Sequence, residues 1–208
     1  MLPDAMQHTI EQACVTVVSE DGTGRGVLVA GQMVLTAAHC VMYDTEGPMV
    51  CNDYFIHKLQ TRQGVVNVGP LAVEPCADIA VLGALDNQEE DTGFEAWCAA
   101  VTPMPICCED VPVGAPFPVY IYTHRETWLE GTATLIRDDH HTLWLEVPEG
   151  IEEGTSGSPI VTAGGDIVGV VSLMVGPDEK ATGGVTPRPH LTLPAWVMRR
   201  IQTWEDAC

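Results

Sequence analysis

The feature that most constrains this chain is a succession of short apolar segments, rich in β-branched residues and separated by Gly, Pro, Asp and Asn. Branched side chains pack well on a pleated surface, and the separating residues favour chain reversals, so the pattern is typical of short strands joined by turns. It indicates an all-β protein. The predicted strands are Cys14 to Val18, Gly26 to Ala30, Met33 to Thr36, Val65 to Val68, Ile79 to Leu82, Val119 to Tyr122, Thr132 to Ile136, Thr142 to Val147, Pro159 to Thr162 and Ile167 to Met174.

The hydrophobic period changes near the C-terminus. Apolar residues recur there at spacings of 4, 4 and 3, at Leu193, Val197, Ile201 and Trp204. Proline is tolerated in a first helical turn, and Pro194 stands in that position. We therefore expect an amphipathic helix to close the chain. The acidic stretch from 86 to 118 has few strand features and is expected to connect two halves.

The charge balance excludes two classes of partner. Nine basic against 29 acidic residues give a net charge of −20, which repels nucleic-acid phosphates and anionic lipid headgroups. Cationic partners are favoured, although such a surface is equally explained by selection for solubility. The longest apolar run is far shorter than the ~20 residues that span a bilayer. The N-terminus lacks a basic region followed by an apolar stretch, so we expect a cytoplasmic location.

The eight cysteines show no C-x-x-C pair. Structural zinc is therefore not expected, and most of the cysteines are interpreted as buried free thiols. No metal and no organic cofactor is predicted.

Three segments place catalytic residue types at strand edges: LTAAHC with His39, ADIAVL with Asp78, and EEGTSGSP with Ser156. A serine hydroxyl becomes a nucleophile when an imidazole takes its proton and a carboxylate holds that imidazole in the correct tautomer. Glycines beside the serine let the backbone turn sharply and aim N–H groups at a developing oxyanion. Each segment is weak evidence by itself, but the three together indicate acyl transfer.

The three segments occur in the order His, Asp, Ser, with separations of 39 and 78 residues. In that order the chain resembles the trypsin-like (chymotrypsin-fold) serine proteases, whose motifs read TAAHC, DIALL and GDSGGP, and in particular the stand-alone bacterial type. The resemblance implies two antiparallel six-stranded Greek-key β-barrels with a C-terminal helix, within a single module spanning 1–208. The first barrel would occupy about 10–90, the connecting segment about 91–115, and the second barrel with its helix about 116–208.

The resemblance also assigns roles. Ser156 would be the nucleophile, His39 the general base and later the general acid, and Asp78 the orienting carboxylate. The backbone N–H groups of Gly154 and Ser156 would form the oxyanion hole. Ser158 is the competing hydroxyl, but Ser156 is the one flanked by glycines at the offsets that the motif requires.

Two positions depart from the animal digestive branch of this family. Thr155 replaces the aspartate that pairs there with a freed N-terminus, so the resemblance implies no activation by N-terminal insertion. Cys40 lacks the cysteine partner that usually lies on the preceding strand, where this chain reads Gly24-Arg25-Gly26-Val27. That absence fits a reducing compartment.

The same resemblance places the substrate pocket. Its floor and wall would be formed by Gly150, Ile151, Ser172, Leu173 and Met174. No carboxylate stands at the floor, and a methionine where glycine is common suggests an apolar pocket for small or medium uncharged side chains. Alternatively, two neighbouring glutamates, at 152 and 153, favour basic residues nearby in a substrate.

These expectations describe a serine endopeptidase that cleaves protein or peptide substrates through an acyl-enzyme. Inside a cell such an enzyme must be restrained or very selective, so we expect a dedicated substrate or activator protein. Two alternatives remain open: a catalytically silent protease-like binding module, and a small-ester hydrolase that uses the same triad. An α/β-hydrolase is disfavoured because its triad runs Ser, Asp, His.

Overall fold

A computed structural model of the protein describes residues 1–19, 22–41, 56–85, 93–136, 141–172 and 181–205. Within them, no helix has both the length and the apolar character needed to cross a bilayer. The strands of the described chain form two antiparallel sheets of six strands each.

The first sheet closes into a barrel. Its strands follow the order β1-β2-β3-β6-β5-β4, and pairing of β1 with β4 completes the circle. In β3 and β6 every residue is buried, as the near-continuous apolar sequence predicts. The strands are β1 (Cys14–Ser19), β2 (Gly22–Val29), β3 (Met33–Thr36), β4 (His57–Thr61), β5 (Gly64–Glu74) and β6 (Ile79–Gly83).

The second sheet curls into a half-barrel with the order β11-β10-β7-β8-β9-β12. The all-β class with two six-stranded units is thus confirmed, although full closure is seen only in the first. Alternate residues of β9 point into its core, among them Leu143, Leu145 and Val147. The strands are β7 (Phe117–Tyr122), β8 (Trp128–Leu135), β9 (Thr142–Ile151), β10 (Pro159–Thr162), β11 (Ile167–Val170) and β12 (Ala181–Pro187).

In the described part of the chain, four α-helices accompany the sheets: α1 (Asp4–Ala13), α2 (Phe94–Ala100), α3 (Pro189–Thr192) and α4 (Ala195–Glu205). The predicted C-terminal helix is confirmed as α4, which begins directly after Pro194. The sequence interpretation missed α1 and α2. In α1 the apolar residues Met6, Ile10 and Ala13 follow a helical spacing, and Ile10 and Ala13 are buried against the barrel.

The predicted strands agree with the structure in position and differ mainly at their ends. Two match to the residue, Met33–Thr36 and Pro159–Thr162. The strand predicted to begin at Ile167 ends at Val170, and its predicted end, Leu173 and Met174, lies outside the described residues. Strands β4 and β12 were not predicted.

The two sheets meet over a shared core, and the nucleophile segment lies at that junction. The larger apolar cluster joins barrel residues to Tyr122 and Val161 of the second sheet and to Val197 of α4. The backbone N–H of Arg25 on β2 donates to the carbonyl oxygen of Ser156 at 2.6 Å. Residues from both sheets therefore approach one another at Ser156.

Candidate active site

His39 and Asp78 are brought together by neighbouring strands of the barrel. Thr36 at the end of β3 pairs with Ala80 near the start of β6, so the residues just beyond these ends lie at the same edge. His39 follows β3 in a short 3₁₀ turn (Ala38–Val41), and Asp78 immediately precedes β6. Asp78 has a φ of 56°, a left-handed conformation that Asp tolerates better than most residues.

Two hydrogen bonds join the pair. The backbone N–H of His39 donates to Asp78 Oδ1 at 2.9 Å, and His39 Nδ1 lies 2.7 Å from Asp78 Oδ2. The imidazole and the carboxylate are 30% and 22% exposed, so the pair is half-buried with the ring still accessible. Both carboxylate oxygens are engaged, which fixes the orientation of the ring.

The electrostatic environment favours the protonated form of His39. The hydrogen bond that the ring donates to the Asp78 carboxylate is the largest cause that raises the pKa of His39 above its ordinary value, and the sulfur of Cys40 adds to it. Burial acts in the opposite direction but is weaker. An imidazole with this pairing is a strong proton acceptor once it is neutral.

Ser156 lies in a tight turn that we call the oxyanion loop (residues 152–158). Gly154 and Gly157 have φ values of +85° and +84°, which glycine adopts without strain. The carbonyl oxygen of Ser156 accepts from Arg25 N–H and from Cys40 Sγ, the latter at 3.6 Å. Because Cys40 directly follows His39, this contact places the serine segment beside the histidine.

The two serines of the loop have different environments. Ser158 is fully buried, and its Oγ donates to the carbonyl oxygen of Tyr122 at 2.9 Å. Ser156 is only partly buried. The hydroxyl of Ser158 therefore serves to hold the loop on β7, which leaves Ser156 as the serine suited to meet a substrate.

Cys40, which lacks a cysteine partner on the preceding strand, packs against Gly24 of that strand. A Cβ atom at Gly24 would overlap the Cys40 sulfur, so glycine at 24 makes the space that the thiol fills. Among the described cysteines none forms a disulfide, and only Cys14 and Cys40 are buried. Mostly buried thiols were predicted, but Cys76 and Cys108 are exposed; Cys51 and Cys208 lie outside the described residues.

The residues assigned to the substrate pocket flank this loop. Gly150 has a φ of +75° and precedes Ile151, whose side chain is buried in the core of the second sheet. Ser172 follows β11 and is partly buried. Leu173 and Met174 lie outside the described residues, so the pocket wall they were assigned to is not described.

Sequence reasoning missed two residues that contact the oxyanion loop. His124 Nδ1 lies 3.0 Å from Thr155 Oγ1, and Arg125 forms an ion pair with Glu152 at 2.7 Å. Both residues belong to the turn after β7, and no motif marks them. Their only sequence feature is a pair of cationic-type side chains in an acidic chain, which does not identify their partners.

A metal site would need several ligating side chains close together within the described ranges. No group of three or more His, Cys, Asp or Glu residues is arranged there to hold a metal ion. The side chains that do meet are the His39 imidazole and the Asp78 carboxylate, and the Ser156 backbone lies against the neighbouring Cys40. In general, an imidazole held by a carboxylate can take the proton of a nearby serine hydroxyl, and the serine oxygen can then attack a carbonyl carbon.

A closed six-stranded barrel beside a curled six-stranded sheet, with the His39–Asp78 pair near the Ser156 segment, places the protein in the chymotrypsin-like class of β-proteins. A family model for the trypsin-like peptidase domain matches residues 22–170. The match spans well over half of the chain, and the protein therefore belongs to the trypsin-like peptidase family. A search of curated proteins finds no matching relative.

Solved structures show the same chymotrypsin-like fold. The Rv3671c protease of M. tuberculosis, in an inactive form, is 16% identical, with a TM-score of 0.58 over 98% of each chain. A serine endoprotease from Yersinia pestis is 18% identical, with a TM-score of 0.62 over 97% of this chain and 68% of that one. A human astrovirus serine protease is 17% identical, with a TM-score of 0.57 over 88% and 94%. At these identities the likeness establishes the fold.

Proposed function

We propose that this protein is a serine endopeptidase that cleaves protein or peptide substrates through an acyl-enzyme intermediate. The observation that carries the proposal is the doubly hydrogen-bonded His39–Asp78 pair beside the glycine-flanked Ser156. Family membership supports the same chemistry. The alternatives, a silent binding module and a small-ester hydrolase, become outcomes of the test below.

We assign the residue roles as the family resemblance implies. Neutral His39 donates its Nδ1–H to Asp78 and takes the Ser156 hydroxyl proton on Nε2 while the serine oxygen attacks the substrate carbonyl carbon. The N–H groups of Gly154 and Ser156 donate to the oxyanion. His39 then returns the proton to the amine as the C–N bond breaks. Water attacks the acyl ester, giving its proton to His39, and Ser156 recovers its own proton.

We propose an apolar primary pocket on Gly150, Ile151 and Ser172, with an acidic surface around it. Glu152 is paired with Arg125, whereas the neighbouring Glu153 is exposed and is free of that pair. A net charge of −20 favours substrates or regulatory partners with basic residues outside the pocket. A dedicated cationic protein substrate or activator suits this surface best.

Labelling with a fluorophosphonate probe tests the nucleophile, because only an activated serine reacts quickly with it. We expect a single adduct, mapped by peptide mass spectrometry to Ser156 and lost in Ser156→Ala. Ser158→Ala is the matched control, and it should still be labelled, since that hydroxyl is buried against Tyr122. An adduct at Ser158, or none at Ser156, would contradict the proposed mechanism.

Peptide cleavage separates the endopeptidase from the esterase. The protein, not exposed to the probe, is incubated with a peptide library, and new termini are identified by mass spectrometry. We expect internal cleavage that Ser156→Ala abolishes. Turnover of p-nitrophenyl acetate without any peptide cleavage would favour the small-ester hydrolase instead.

A further inference from the structure

The oxyanion loop is held from one side by the chain that leaves β7. We call residues 123–127, between β7 and β8, the β7–β8 turn. Within the loop, Thr155 N–H donates to Glu152 and Ser158 N–H to Thr155. These local bonds shape the loop but do not attach it to the rest of the protein. Its attachment on this side comes from side chains that reach across to β7 and its turn.

The first such contact is made by His124. Its Nδ1 lies 3.0 Å from the hydroxyl of Thr155, which is fully buried. Its ring also packs beside Gly154, where a Cβ atom would come within 3.3 Å of the ring. Burial first, and Arg125 second, lower the pKa of His124, so the imidazole is neutral at pH 7 and the contact joins two neutral groups.

The second contact is made by Arg125. Its guanidinium lies 2.7 Å from a carboxylate oxygen of Glu152, at the start of the same loop. Arg125 is 67% exposed and Glu152 is 26% exposed, so solvent screens the pair and its individual effect is small. Consecutive residues of one turn thus hold both Glu152 and Thr155, which bracket Gly154.

The turn itself is rigid enough to serve as a support. Thr123 N–H donates to the carbonyl oxygen of Thr127, and their hydroxyls are 2.8 Å apart. The hydroxyl of Thr123 also accepts from the backbone N–H of Arg125. Thr123 is buried and Thr127 is exposed, so these bonds are partly shielded from water.

We propose that His124 and Arg125 are positioning residues that hold the oxyanion loop in its catalytic conformation. This inference rests on the proposed function, since it assigns the N–H groups of Gly154 and Ser156 to the oxyanion hole. Thr155 stands between those two donors, and a loop that shifts at Thr155 separates them. The pair of contacts replaces the N-terminal ion pair that the threonine at 155 cannot form.

Steady-state and burst kinetics with p-nitrophenyl acetate test the proposal in the full chain. Loss of one oxyanion donor typically lowers kcat by about 10²–10³-fold, so partial misplacement of the loop should cost less. We expect His124→Ala to lower kcat about 10-fold and Arg125→Ala about 3-fold, with KM nearly unchanged. Glu126→Gln removes a charge from the same turn without touching the loop, and it should retain wild-type rates.

Conservative variants separate the hydrogen bond from simple packing. His124→Asn places an amide near the position of Nδ1, whereas His124→Phe keeps the ring but removes the polar atom. We expect Asn to retain more activity than Phe, and Arg125→Lys to restore most of the loss in Arg125→Ala. The positioning role would be overturned if His124→Phe retained more activity than His124→Asn. It would also be overturned if KM rose by as large a factor as kcat fell and the melting temperature dropped.

Hydrogen exchange gives a readout that does not depend on turnover. Faster exchange of the Thr155 and Ser158 amides is expected in His124→Ala, with unchanged exchange in the first barrel. If wild-type Ser156 fails to react with the fluorophosphonate, the proposed function fails, whatever the exchange shows. If wild type reacts and the variants match it in both rate and exchange, the positioning role alone is overturned.

Discussion

Asp78 determines both the tautomer and the basicity of His39, because its two oxygens are bonded to the ring and to the backbone of the same residue. Asp78→Asn keeps the shape but removes the charge that favours the Nδ1–H tautomer. We expect kcat at neutral pH to fall on the order of 10⁴-fold, as measured on a small ester substrate. Asp110→Asn, at an exposed position, is the control and should change kcat little.

The same pair predicts the pH dependence of activity. Asp78 raises the pKa of His39, and only neutral His39 accepts the serine proton, so kcat/KM should rise with pH around a midpoint above the ordinary value of 6.5. Asp78→Asn should move that midpoint downward. The free energy of unfolding depends on pH in the opposite direction. The His39–Asp78 pairing stabilises the fold fully below pH 6.5, and this stabilisation is lost as the pH rises through the raised pKa of His39. A wild-type midpoint below 6.5 would contradict this assignment.

Gly157 is required by two independent constraints. Its φ is +84°, and a Cβ atom there would overlap the carbonyl oxygen of Arg25. Backbone strain and overlap together should cost more than about 3 kcal/mol in Gly157→Ala, read from urea unfolding. Gly114→Ala is the matched control, since Gly114 has a φ of +74° but open space around it, and should cost about 1–2 kcal/mol. Equal losses in the two variants would show that the overlap is relieved.

Single residues differ in how well the sequence predicted them. The motifs located His39, Asp78 and Ser156 because each has a fixed chemical context along the chain. His124 and Arg125 have no such context: their partners lie about 30 residues away, and the contacts depend on how the β7–β8 turn meets the oxyanion loop. Contacts of this kind are set by tertiary structure and leave no local pattern.

Among the elements, α1 shows how burial converts a weak local preference into a stable helix. It has no side-chain cap, and a helix of 10 residues is marginal in isolation. Ile10, fully buried against the barrel, provides the packing that holds it. We expect Ile10→Ala to lower the free energy of unfolding by about 2–5 kcal/mol in urea. Ile136→Ala, at a position that is 48% exposed, makes the same chemical change and should cost less than about 1 kcal/mol.

The sequence predicted strands correctly where the residues' own β-preference and their burial agree. Met33–Thr36 is apolar throughout and was located to the residue. In contrast, β12 contains Gly183-Gly184 and is a strand because it pairs with β9 along its length. Strand β4 alternates in burial, but its inward residues include His57 and Thr61, which weaken the apolar pattern. Neighbouring strands, rather than propensity, determine these two elements.

At the scale of the whole molecule, the site depends on the junction of the two sheets. Arg25 of β2 lies over the ring of Tyr122 at 5.3 Å, while its backbone N–H holds Ser156. On the same side of the junction, Arg62 donates to the hydroxyl of Tyr122, and Trp128 donates to Glu11 of α1. In the proposed mechanism the first barrel would supply the base and the orienting acid and the second sheet the nucleophile, and these polar contacts hold the two sheets together.

The net charge of −20 predicts how the enzyme meets its substrates. A negative surface attracts cationic peptides over roughly one Debye length, which shrinks from about 10 Å at 0.1 M salt to about 3 Å at 1 M. We expect kcat/KM for a peptide with lysines flanking the cleaved bond to fall several-fold over this range. Because steering acts on encounter, the fall should appear in kcat/KM while kcat stays nearly constant.

The matched peptide, with glutamine in place of each lysine, separates steering from other salt effects. Salt also strengthens apolar burial, which would raise kcat/KM for both peptides if the pocket is apolar. The ratio of the two kcat/KM values cancels that contribution and isolates the charge term. A ratio that stays constant between 0.1 M and 1 M salt would mean that the acidic surface plays no part in substrate capture, and selection for solubility would then explain the composition.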